Sequence, residues 1–492
     1  MRLIKYLKQS SMNKVILINP PFNISKEKYE SSVSVGLLSI ASYLSSRGLE
    51  VMIIDGARQE NYLDLIKREA SEAAWVGISV MTTQIEGALA ISKLIKSLNP
   101  QCKIIWGGSH PTFFPKQTAA HDLIDAVCVG EGELTMEEII TKNSLENVNG
   151  IIYKKSGELV VNSPRALHDP ANMPLFNWDL VSLDILNNLS LIPSLTSRGC
   201  PHRCTFCINA ILKNCWRPRT APQVLKDLEI IKTRPYFVGK SIRFWDENFF
   251  VDINRAKEII QGMIEKNLVI PWETTIRADY IRAGMVDDEF MSQLKKSGCY
   301  LLSFGAESGS PEILKKIKKD ILPEQIINSA KLCLKYDIIP QYSFMIGLPG
   351  ESKKDMMLTL KVIDALAKLS PKVQILGPQA FRPYPGSELY EECLAAGWQE
   401  PKSLEEWAHL MKNELSYLTV KNFPWVIHKD FVESMEAYVR FGAMNFKSAM
   451  GSSIKAQRIL KLGFVLICRL RWKLKFFYWP IEFKLAKKFV TK

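Results

Sequence analysis

Three cysteines within eight residues are the strongest chemical signal in the sequence. Cys200, Cys204 and Cys207 lie in the segment Cys-Pro-His-Arg-Cys-Thr-Phe-Cys. Three thiolates on one loop can hold three irons of a cubic iron–sulfur cluster, which leaves the fourth iron without a protein ligand. An iron with an open position can bind and activate a small molecule. The same residues also allow a zinc site, completed by His202 or by a distant ligand.

The cysteine loop follows the first strand of a series of alternating strands and helices. Parallel strands of a βα barrel place the loops at their carboxyl ends on one working face, so we expect side chains after the later strands to lie around the cysteines. Six units predict a partial or full barrel. The predicted strands are Leu191–Thr196, Ser241–Phe244, Trp272–Ile276, Tyr300–Phe304, Ile338–Ile346 and Val373–Leu376.

An earlier series of the same kind predicts a doubly wound parallel sheet near the start of the chain, because short buried strands alternate with helical stretches. The helices are predicted at 37–46, 62–73 and 85–98, with a less clear stretch after Pro115. Ligands of such sheets bind beyond the carboxyl ends of the strands. The predicted strands are Val15–Asn19, Val51–Ile54, Val76–Val80, Ile104–Trp106 and Ala126–Val129.

Glycines and small hydroxyl residues are frequent in the loops at the carboxyl ends of these five strands. Glycine lets the backbone approach a bulky ligand, and a small hydroxyl donates a hydrogen bond without filling the site. Any one loop alone is also consistent with an ordinary turn. Five such loops at one sheet edge favour a ligand. They are Asn19 to Pro21, Asp55-Gly56, Ser79 to Thr82, Gly107 to Thr112 and Gly130 to Glu133.

The chain has 492 residues, of which 47% are hydrophobic and 23% charged. This length exceeds that of a single core and excludes one small binding module, and the composition excludes wholesale disorder. The predicted fold class is α/β: a doubly wound Rossmann-like domain, then a partial βα (TIM-like) barrel and a mostly helical C-terminal region. We expect domains at 12–150, 191–395 and 396–492, with a linker that contains one hairpin at 151–190.

The cysteine loop and its position after the first barrel strand resemble the radical S-adenosylmethionine (SAM) superfamily. The resemblance implies a [4Fe-4S] cluster on Cys200, Cys204 and Cys207, and SAM that chelates the open iron through its amino and carboxylate groups. Charged and glycine residues after the later strands match the family pattern, including Trp245-Asp246-Glu247-Asn248 and Gly347-Leu348-Pro349-Gly350-Glu351. The residues implied to bind SAM are Phe206, Asp246, Glu247, Arg277, Glu307 and Gly347.

The N-terminal loops resemble the cobalamin-binding domain that precedes the barrel in one subgroup of this superfamily. One departure is that Asn19-Pro20-Pro21-Phe22-Asn23 replaces the D-x-H-x-x-G loop that places a histidine under cobalt in the wider fold. His110 either contacts the corrin edge or nucleotide tail, or packs as a structural histidine. The residues implied to bind cobalamin are Pro21, Ser79, Thr82, Gly107, Gly108, His110, Glu131 and Gly132.

These resemblances imply an enzyme that cleaves SAM reductively to a 5′-deoxyadenosyl radical and methylates an unactivated carbon through methylcobalamin. A radical cyclase of the anaerobic Mg-protoporphyrin ester cyclase type uses the same cofactors and is the enzymatic alternative. A cobalamin-binding sensor or carrier is the alternative from another class, and the three cysteines argue against it. The expected partners are a small substrate, either lipid-like or a tetrapyrrole, and an electron donor such as a reductase, flavodoxin or ferredoxin.

The positive charge of the chain is concentrated at its end. Residues 451 to 492 contain eleven Lys or Arg and one acid, Glu482, which accounts for +10 of the total +13. Basic residues interleave with aromatics there, as is typical of a membrane interface, whereas no nucleic-acid recognition module accompanies the charge.

The strict alternation from Cys468 to Phe476 predicts either a strand or a helix with charge on opposite sides. A terminal element packed on the body, with a solvated basic face, is the alternative. We expect a cytoplasmic protein, with peripheral contact at the inner membrane face if the tail binds lipid.

Overall fold

The computed structural model describes residues 14–22, 33–210, 215–413, 420–444 and 455–490. Asn23, residues 12–13 of the first predicted domain, and residues 414–419, 445–454 and 491–492 of the predicted C-terminal region lie outside the described residues. The chain divides into two compact units. The first is Met1–Thr196, Arg217–Arg243 and Pro401–Asn413, and the second is Ser197–Trp216, Phe244–Glu400 and Glu414–Lys492.

A seven-stranded sheet forms the centre of the first unit. Its strands are β1 (Lys14–Asn19), β2 (Glu50–Asp55), β3 (Trp75–Ser79), β4 (Lys103–Gly107), β5 (Ala126–Cys128), β6 (Ile151–Lys155) and β7 (Glu158–Val161). The order is β2-β1-β3-β4-β5-β6-β7, and the first five strands are parallel. The predicted doubly wound sheet is therefore confirmed. Because the order reverses at β1, the crevice expected for a ligand lies beyond the ends of β1 and β3.

The predicted hairpin forms, and it extends the sheet of the first unit. Strand β6 pairs antiparallel with β5, and β7 pairs antiparallel with β6, so the hairpin extends the sheet at one edge. Antiparallel pairing satisfies the edge of β5, which would otherwise expose unpaired backbone groups. The end of this sheet therefore does not coincide with the predicted domain boundary at residue 150, and the proposed boundaries remain a prediction.

Helices flank this sheet. In this part of the chain they are Val35–Ser46, Tyr62–Ala70, Ile85–Leu98, Ser109–Phe113, Pro115–Ala120 and Glu133–Lys142. The Ser109–Phe113 helix replaces part of a predicted loop, and the second helix ends three residues earlier than predicted. Three further helices of this unit are Leu183–Asn188, Ala221–Thr233 and Leu404–Asn413. Two later strands also begin in this unit, β8 (Leu191–Ser194) and β9 (Ser241–Phe244). The last residue of β9, Phe244, belongs to the second unit.

Four parallel strands form the sheet of the second unit. They are β10 (Trp272–Ile276), β11 (Cys299–Glu307), β12 (Ile339–Ile346) and β13 (Gln374–Ala380), paired in chain order. Together with β8 and β9, all six strands predicted for the barrel are present, each within a few residues of its expected bounds. Large buried side chains fill this unit, and the rings of Phe304 and Tyr342 stack with centroids 5.0 Å apart.

Helices alternate with these strands, and two of them begin at serine caps. Ser310 accepts a hydrogen bond from the backbone of Ile313 (3.4 Å), with Pro311 in the first turn. Ser352 and Asp355 form the reciprocal capping box that satisfies two free backbone N–H groups. The helices are Ile253–Glu265, Asp288–Lys296, Pro311–Lys316, Pro323–Lys335, Lys353–Leu369, Glu388–Ala395 and Lys429–Tyr438, the last followed by a π-helical turn at Val439–Ala443.

The basic C-terminal segment is helical. Its two helices are Lys455–Leu474 and Ile481–Val490, so the alternation between charged and apolar residues does not produce a strand. Residues two apart on a helix lie roughly 200° apart, so alternating apolar residues fall on opposite sides. Cys468 and Trp472 are accordingly buried, whereas Leu470 and Leu474 are exposed. No helix within the described ranges is both long enough and apolar enough to cross a bilayer.

Candidate functional site

The three cysteines lie on one partly exposed loop of the second unit. Cys200, Cys204 and Cys207 all have free thiols of intermediate exposure. A turn in which the Cys207 N–H donates to the carbonyl of Cys204 (3.1 Å) holds the last two together. Within the described ranges, no three His, Cys, Asp or Glu side chains converge on the position of a single metal ion. A cubic cluster instead binds each thiolate to a different iron.

The start of this loop depends on Gly199. Its φ is +80°, and a Cβ atom at this position would lie 1.8 Å from the backbone oxygen of Cys215. Only glycine fits this position, because any other side chain is disfavoured at this φ and its Cβ would clash with the Cys215 backbone. Gly199 therefore sets the direction in which the chain enters the cysteine loop.

The middle of the loop is fastened by backbone and side-chain hydrogen bonds. The Thr205 N–H donates to the carbonyl of Ile317 (3.1 Å). His202 Nε2 lies 2.8 Å from the hydroxyl oxygen of Tyr280, which also accepts from Asn248 Nδ2 at 3.1 Å. Burial is the main cause that lowers the pKa of His202 to about 4, so its ring is neutral at pH 7. His202, the ligand proposed for a zinc site, is thus engaged with Tyr280.

Two of the predicted SAM-binding carboxylates face the entry to the loop. Asp246 accepts a hydrogen bond from the hydroxyl of Ser197, and Glu247 Oε2 accepts from the backbone N–H of Gly199 at 3.1 Å. Burial raises the pKa of the Glu247 carboxyl, since the charged form loses solvation. Both carboxylates thus contact the residues that lead into the cysteine loop, and their role in SAM binding remains a prediction.

Arg277 places a cation at the cysteines. Its Nη1 lies 4.0 Å from the Cys204 sulfur, and its Nε donates to Asp279 Oδ1 at 2.9 Å. A further hydrogen bond joins Arg277 to the backbone oxygen of Lys319. A fixed guanidinium near the thiolates stabilises negative charge on the cluster or on a carboxylate bound to it.

Lys319 is a buried cation that no sequence motif indicated. Its Nζ lies 3.1 Å from Glu307 Oε1 and 5.9 Å from the centre of the Phe206 ring. Glu307 has a φ of +62°, and the strand register shifts just before it. A Cβ at Gly305 would lie 2.3 Å from the Glu307 carboxylate, so this glycine provides the space for the pair. The predicted residues Phe206 and Glu307 therefore meet through Lys319.

The remaining predicted SAM-binding residue, Gly347, is fixed by its neighbours. Its backbone N–H donates to Glu351 Oε2 at 2.5 Å, and its carbonyl accepts from Trp425 Nε1 at 2.9 Å. Gly347 has a φ of +76°, which favours glycine. Glu351 was part of the quoted motif but was not assigned a role from the sequence, and it is the residue that shapes this turn.

The first unit contains a cavity at the predicted sheet edge. The cavity measures about 50 Å³, and four of the residues predicted to bind cobalamin line it: Ser79, Gly107, Gly108 and Gly132. Gly77 and Gly130 also line it, although the resemblance implied no role for either. Strands β1, β3, β4 and β5 all contribute, and no charged residue does. A slot walled by glycine backbone suits a ligand that is recognised through close contact and backbone hydrogen bonds.

The other four predicted cobalamin-binding residues lie outside this cavity. Thr82 Oγ1 is 3.3 Å from Nδ1 of His110. Pro21 packs against Gly87, since a Cβ atom at Gly87 would lie 2.9 Å from the Pro21 ring. Glu131 binds Arg217 through two hydrogen bonds of 2.7 and 3.0 Å, and lies 3.1 Å from His168.

His110 is a buried histidine within this unit. Its ring packs against Phe114 and Trp407, with centroids 5.1 and 5.6 Å away. Its Nε2 has no hydrogen-bond partner among the described residues, and burial lowers its pKa to about 3. These contacts match the structural alternative for His110, whereas its contact with a corrin remains a prediction.

Two family models match the chain on the regions that carry these features. The B12 binding domain matches residues 29–140, and the radical SAM superfamily matches residues 194–363. The solved structure of the cobalamin-dependent SAM radical enzyme OxsB, with aqua-cobalamin and SAM bound, is similar with a TM-score of 0.62 and 25% identity. The match covers 79% of this chain and 55% of OxsB, so this chain spans about half of that protein.

The chain belongs to the cobalamin-dependent radical SAM enzymes. Its cofactors are cobalamin, SAM and a [4Fe-4S] cluster. When bound, these groups supply the radical and methyl-transfer chemistry that protein side chains lack, while the protein orients them. The residues described above fit this set, because three thiols and a guanidinium meet at one loop, and two carboxylates hold the residues that lead into it.

Two curated relatives of this cobalamin-dependent radical SAM enzyme carry different activities in their names. An uncharacterized methyltransferase of Pyrococcus horikoshii is 29% identical over 85% of this chain and 95% of its own length. The anaerobic magnesium-protoporphyrin IX monomethyl ester cyclase of Rubrivivax gelatinosus is 24% identical over 72% of this chain and 65% of its own length. The family membership therefore leaves methyl transfer and ring closure both to be considered.

Proposed function

We propose that this protein is a C-methyltransferase, which transfers a methyl group to an unactivated carbon of a small lipid-like or tetrapyrrole substrate. The observation that carries the proposal is the presence of two sites in one chain. One is a cysteine loop flanked by Arg277, Glu247 and the buried Asp246, and the other is a glycine-lined cavity in the B12 binding domain. A methyl carrier is needed for methyl transfer, and the B12 binding domain supplies its binding fold, with the cavity as a slot for a small part of the carrier. The relative from Pyrococcus horikoshii, named a methyltransferase, supports the same reaction.

The protein's own groups have defined tasks in this proposal. Cys200, Cys204 and Cys207 hold the cluster, and Arg277 stabilises negative charge 4.0 Å from one of the sulfurs. The Glu247 carboxylate binds the ammonium group of SAM, since its contact with the backbone N–H of Gly199 holds it next to Cys200.

The decisive experiment uses protein reconstituted under anaerobic conditions with iron, sulfide and hydroxocobalamin. It is incubated with SAM that carries a deuterated methyl group, together with a reductant. We expect both 5′-deoxyadenosine and S-adenosylhomocysteine, because hydrogen abstraction and recharging of the carrier each consume SAM. Deuterated methyl bound to the corrin would support the proposal further. The absence of corrin binding would contradict it.

Ring closure or another radical bond-forming reaction is the second candidate, favoured by the similarity to the anaerobic ester cyclase. It predicts a different product pattern in the same assay. Formation of 5′-deoxyadenosine without S-adenosylhomocysteine, despite bound cobalamin, would favour the cyclase. The reducing partner under either reaction is a reductase, flavodoxin or ferredoxin, because the cluster must receive one electron in each turnover.

A further inference from the structure

The long C-terminal helix, Lys455–Leu474, is apolar on two opposite sides. One side packs on the second unit: Cys468 and Trp472 are buried, and Trp472 Nε1 donates to Asp364 at 2.9 Å. A Cβ at Gly442 would lie 2.7 Å from the Cβ of Trp472, so the contact on this side is close. The body of the protein therefore accounts for only one apolar side of the helix.

The opposite side exposes a stripe of large apolar residues. Leu466 is 61% exposed and Leu474 is 64% exposed, and Leu462 and Leu470 continue the stripe at four-residue intervals. Residues four apart lie on the same face of a helix, so these side chains form one row. A row of exposed leucines on a helix that is already packed on its other side indicates a surface that something covers.

An exposed aromatic turn follows the end of the helix. Phe476, Tyr478 and Trp479 lie with ring centroids 5.7 to 6.5 Å apart, and Trp479 is 76% exposed. Ile481, in the next helix, is also exposed. We call the exposed leucine row and this turn, residues 462–481, the C-terminal surface.

Cations flank the leucine row on both sides. At about 100° per residue, Arg469 and Lys473 lie on one flank of the helix and Arg471 lies on the other, and Lys475 follows the last helical residue. Arg471 pairs with Glu482 (2.6 Å) and Lys475 with Asp364 (2.8 Å). No ion pair of Arg469 or Lys473 occurs among the described residues. The flank that carries Arg469 and Lys473 therefore has positive charge that no acidic side chain among the described residues neutralises.

A basic cavity of about 320 Å³ lies beside the aromatic turn. Lys353, Lys354 and Lys475 line it together with the rings of Phe431 and Tyr478. The ammonium of Lys353 lies 3.7 Å from the centre of the Tyr478 ring, a cation–π contact that joins the cavity to the turn. Three lysines around one cavity create a place where an anionic headgroup can bind.

We propose that the C-terminal surface docks on a bilayer that contains anionic phospholipids. The leucines and aromatics enter the boundary between headgroups and acyl chains, while the flanking cations and the lysine cavity meet the phosphates. Long basic side chains beside an apolar stripe reach headgroups in this geometry. A second copy of the chain fits less well, because a symmetric contact would bring the unpaired cations of Arg469 and Lys473 against those of its partner. Nucleic acid would leave the leucine row uncovered.

Vesicle flotation with the full, reconstituted chain tests this proposal. The vesicles contain phosphatidylcholine alone or phosphatidylcholine with about 30% phosphatidylglycerol. We expect the chain to float with the anionic vesicles, at least about tenfold more than with the neutral ones, and to be released by salt. The proposal rests only on binding, which needs neither SAM nor substrate, so its failure would leave the proposed methyl transfer untouched.

Two sets of variants separate the apolar and ionic contributions. The triple variant Leu470→Ser, Leu474→Ser and Trp479→Ser should abolish flotation. Its control is the double variant Ile427→Ser and Val238→Ser, at exposed apolar positions elsewhere, which should float as the wild type does. Arg469→Gln with Lys473→Gln should weaken binding to anionic vesicles at least about fivefold. Lys226→Gln with Lys331→Gln makes the same change in charge and should have no effect. Equal melting temperatures would show that the variants fold.

Three outcomes would overturn the proposal. The first is wild-type protein that does not float with anionic vesicles, or that floats equally with neutral ones. The second is undiminished flotation of the leucine and tryptophan variant. The third is a wild-type oligomer that this variant dissociates, which would show that a second copy covers the surface.

Discussion

Glu351 holds the turn at Gly347 through one carboxylate oxygen and leaves the other buried without a partner. Its Oε2 accepts from the backbone N–H groups of Gly347 and Leu348 at 2.5 and 3.1 Å, while Oε1 has no hydrogen-bond partner among the described residues. Burial outweighs the two hydrogen bonds and raises the pKa of this carboxyl to about 7. The turn that carries a predicted SAM-binding residue therefore contains a group that titrates near neutral pH.

This pKa predicts a pH dependence of stability. The folded state binds the proton more tightly than the unfolded chain, so the contribution of Glu351 is fully present below about pH 4.5 and is lost as the pH rises through 7. The loss is at most about 3 kcal/mol. Glu351→Gln keeps an acceptor oxygen without the charge and should flatten this part of the profile. Thermal unfolding between pH 5.5 and 8 measures it, with Glu312→Gln at an exposed helix position as control. Equal slopes in wild type and Glu351→Gln would refute the assignment.

Gly199 should be required for the cysteine loop in a way that other glycines with positive φ are not. Gly199→Ala would place a Cβ 1.8 Å from a backbone oxygen, so the loop must move and cluster content should fall sharply. Gly239 has a similar φ of +76° with open space around it, and Gly239→Ala should cost only about 1 kcal/mol of stability. Iron and sulfide analysis after reconstitution compares the two. Normal iron content in Gly199→Ala would show that the loop tolerates the displacement.

Lys319 and Glu307 should behave as a coupled buried pair. Lys319→Met leaves the carboxylate of Glu307 desolvated without its cation, which should destabilise the protein by about 3 kcal/mol. Adding Glu307→Gln removes the stranded charge and should recover part of that loss. Urea unfolding of the two single variants and the double variant gives the coupling free energy. Strictly additive losses would mean that the 3.1 Å contact contributes nothing.

The glycine-lined cavity should be needed for cobalamin binding. Gly107→Leu introduces a side chain into a cavity of about 50 Å³, so cobalamin should bind at least about tenfold more weakly. Gly36→Leu is the matched control, because a Cβ there meets nothing within 4 Å. Titration of corrin absorbance against protein concentration measures both. Unchanged affinity in Gly107→Leu would place the corrin site elsewhere.

The architecture could be predicted from the sequence because the buried strands are short apolar runs. All eleven predicted strands form, and the caps at Ser310 and Ser352 act as their residue types indicate. The helix Ser109–Phe113 was missed because its five residues, between Gly108 and Pro115, lack a helical period. Its formation buries His110 and thereby removes that residue from the cavity.

Other features of the site depend on contacts that no local pattern encodes. Lys319 follows a helix without any motif, and only the fold brings its ammonium to Glu307 and Phe206. Glu131 stands in a glycine loop typical of ligand binding, but Arg217, distant in sequence, binds its carboxylate. In the tail, charged and apolar residues alternate, a pattern also typical of a strand. The segment is a helix, so the alternation gives it one buried and one exposed apolar side.

The most direct test of the account compares wild type with Cys204→Ala after anaerobic reconstitution with iron, sulfide and hydroxocobalamin. Both proteins are incubated with SAM and a reductant, and 5′-deoxyadenosine is quantified beside the absorbance of bound corrin. We predict that Cys204→Ala loses deoxyadenosine formation and keeps cobalamin, since the cluster and the corrin are held by different residues. Deoxyadenosine formed at the wild-type rate by Cys204→Ala would contradict it.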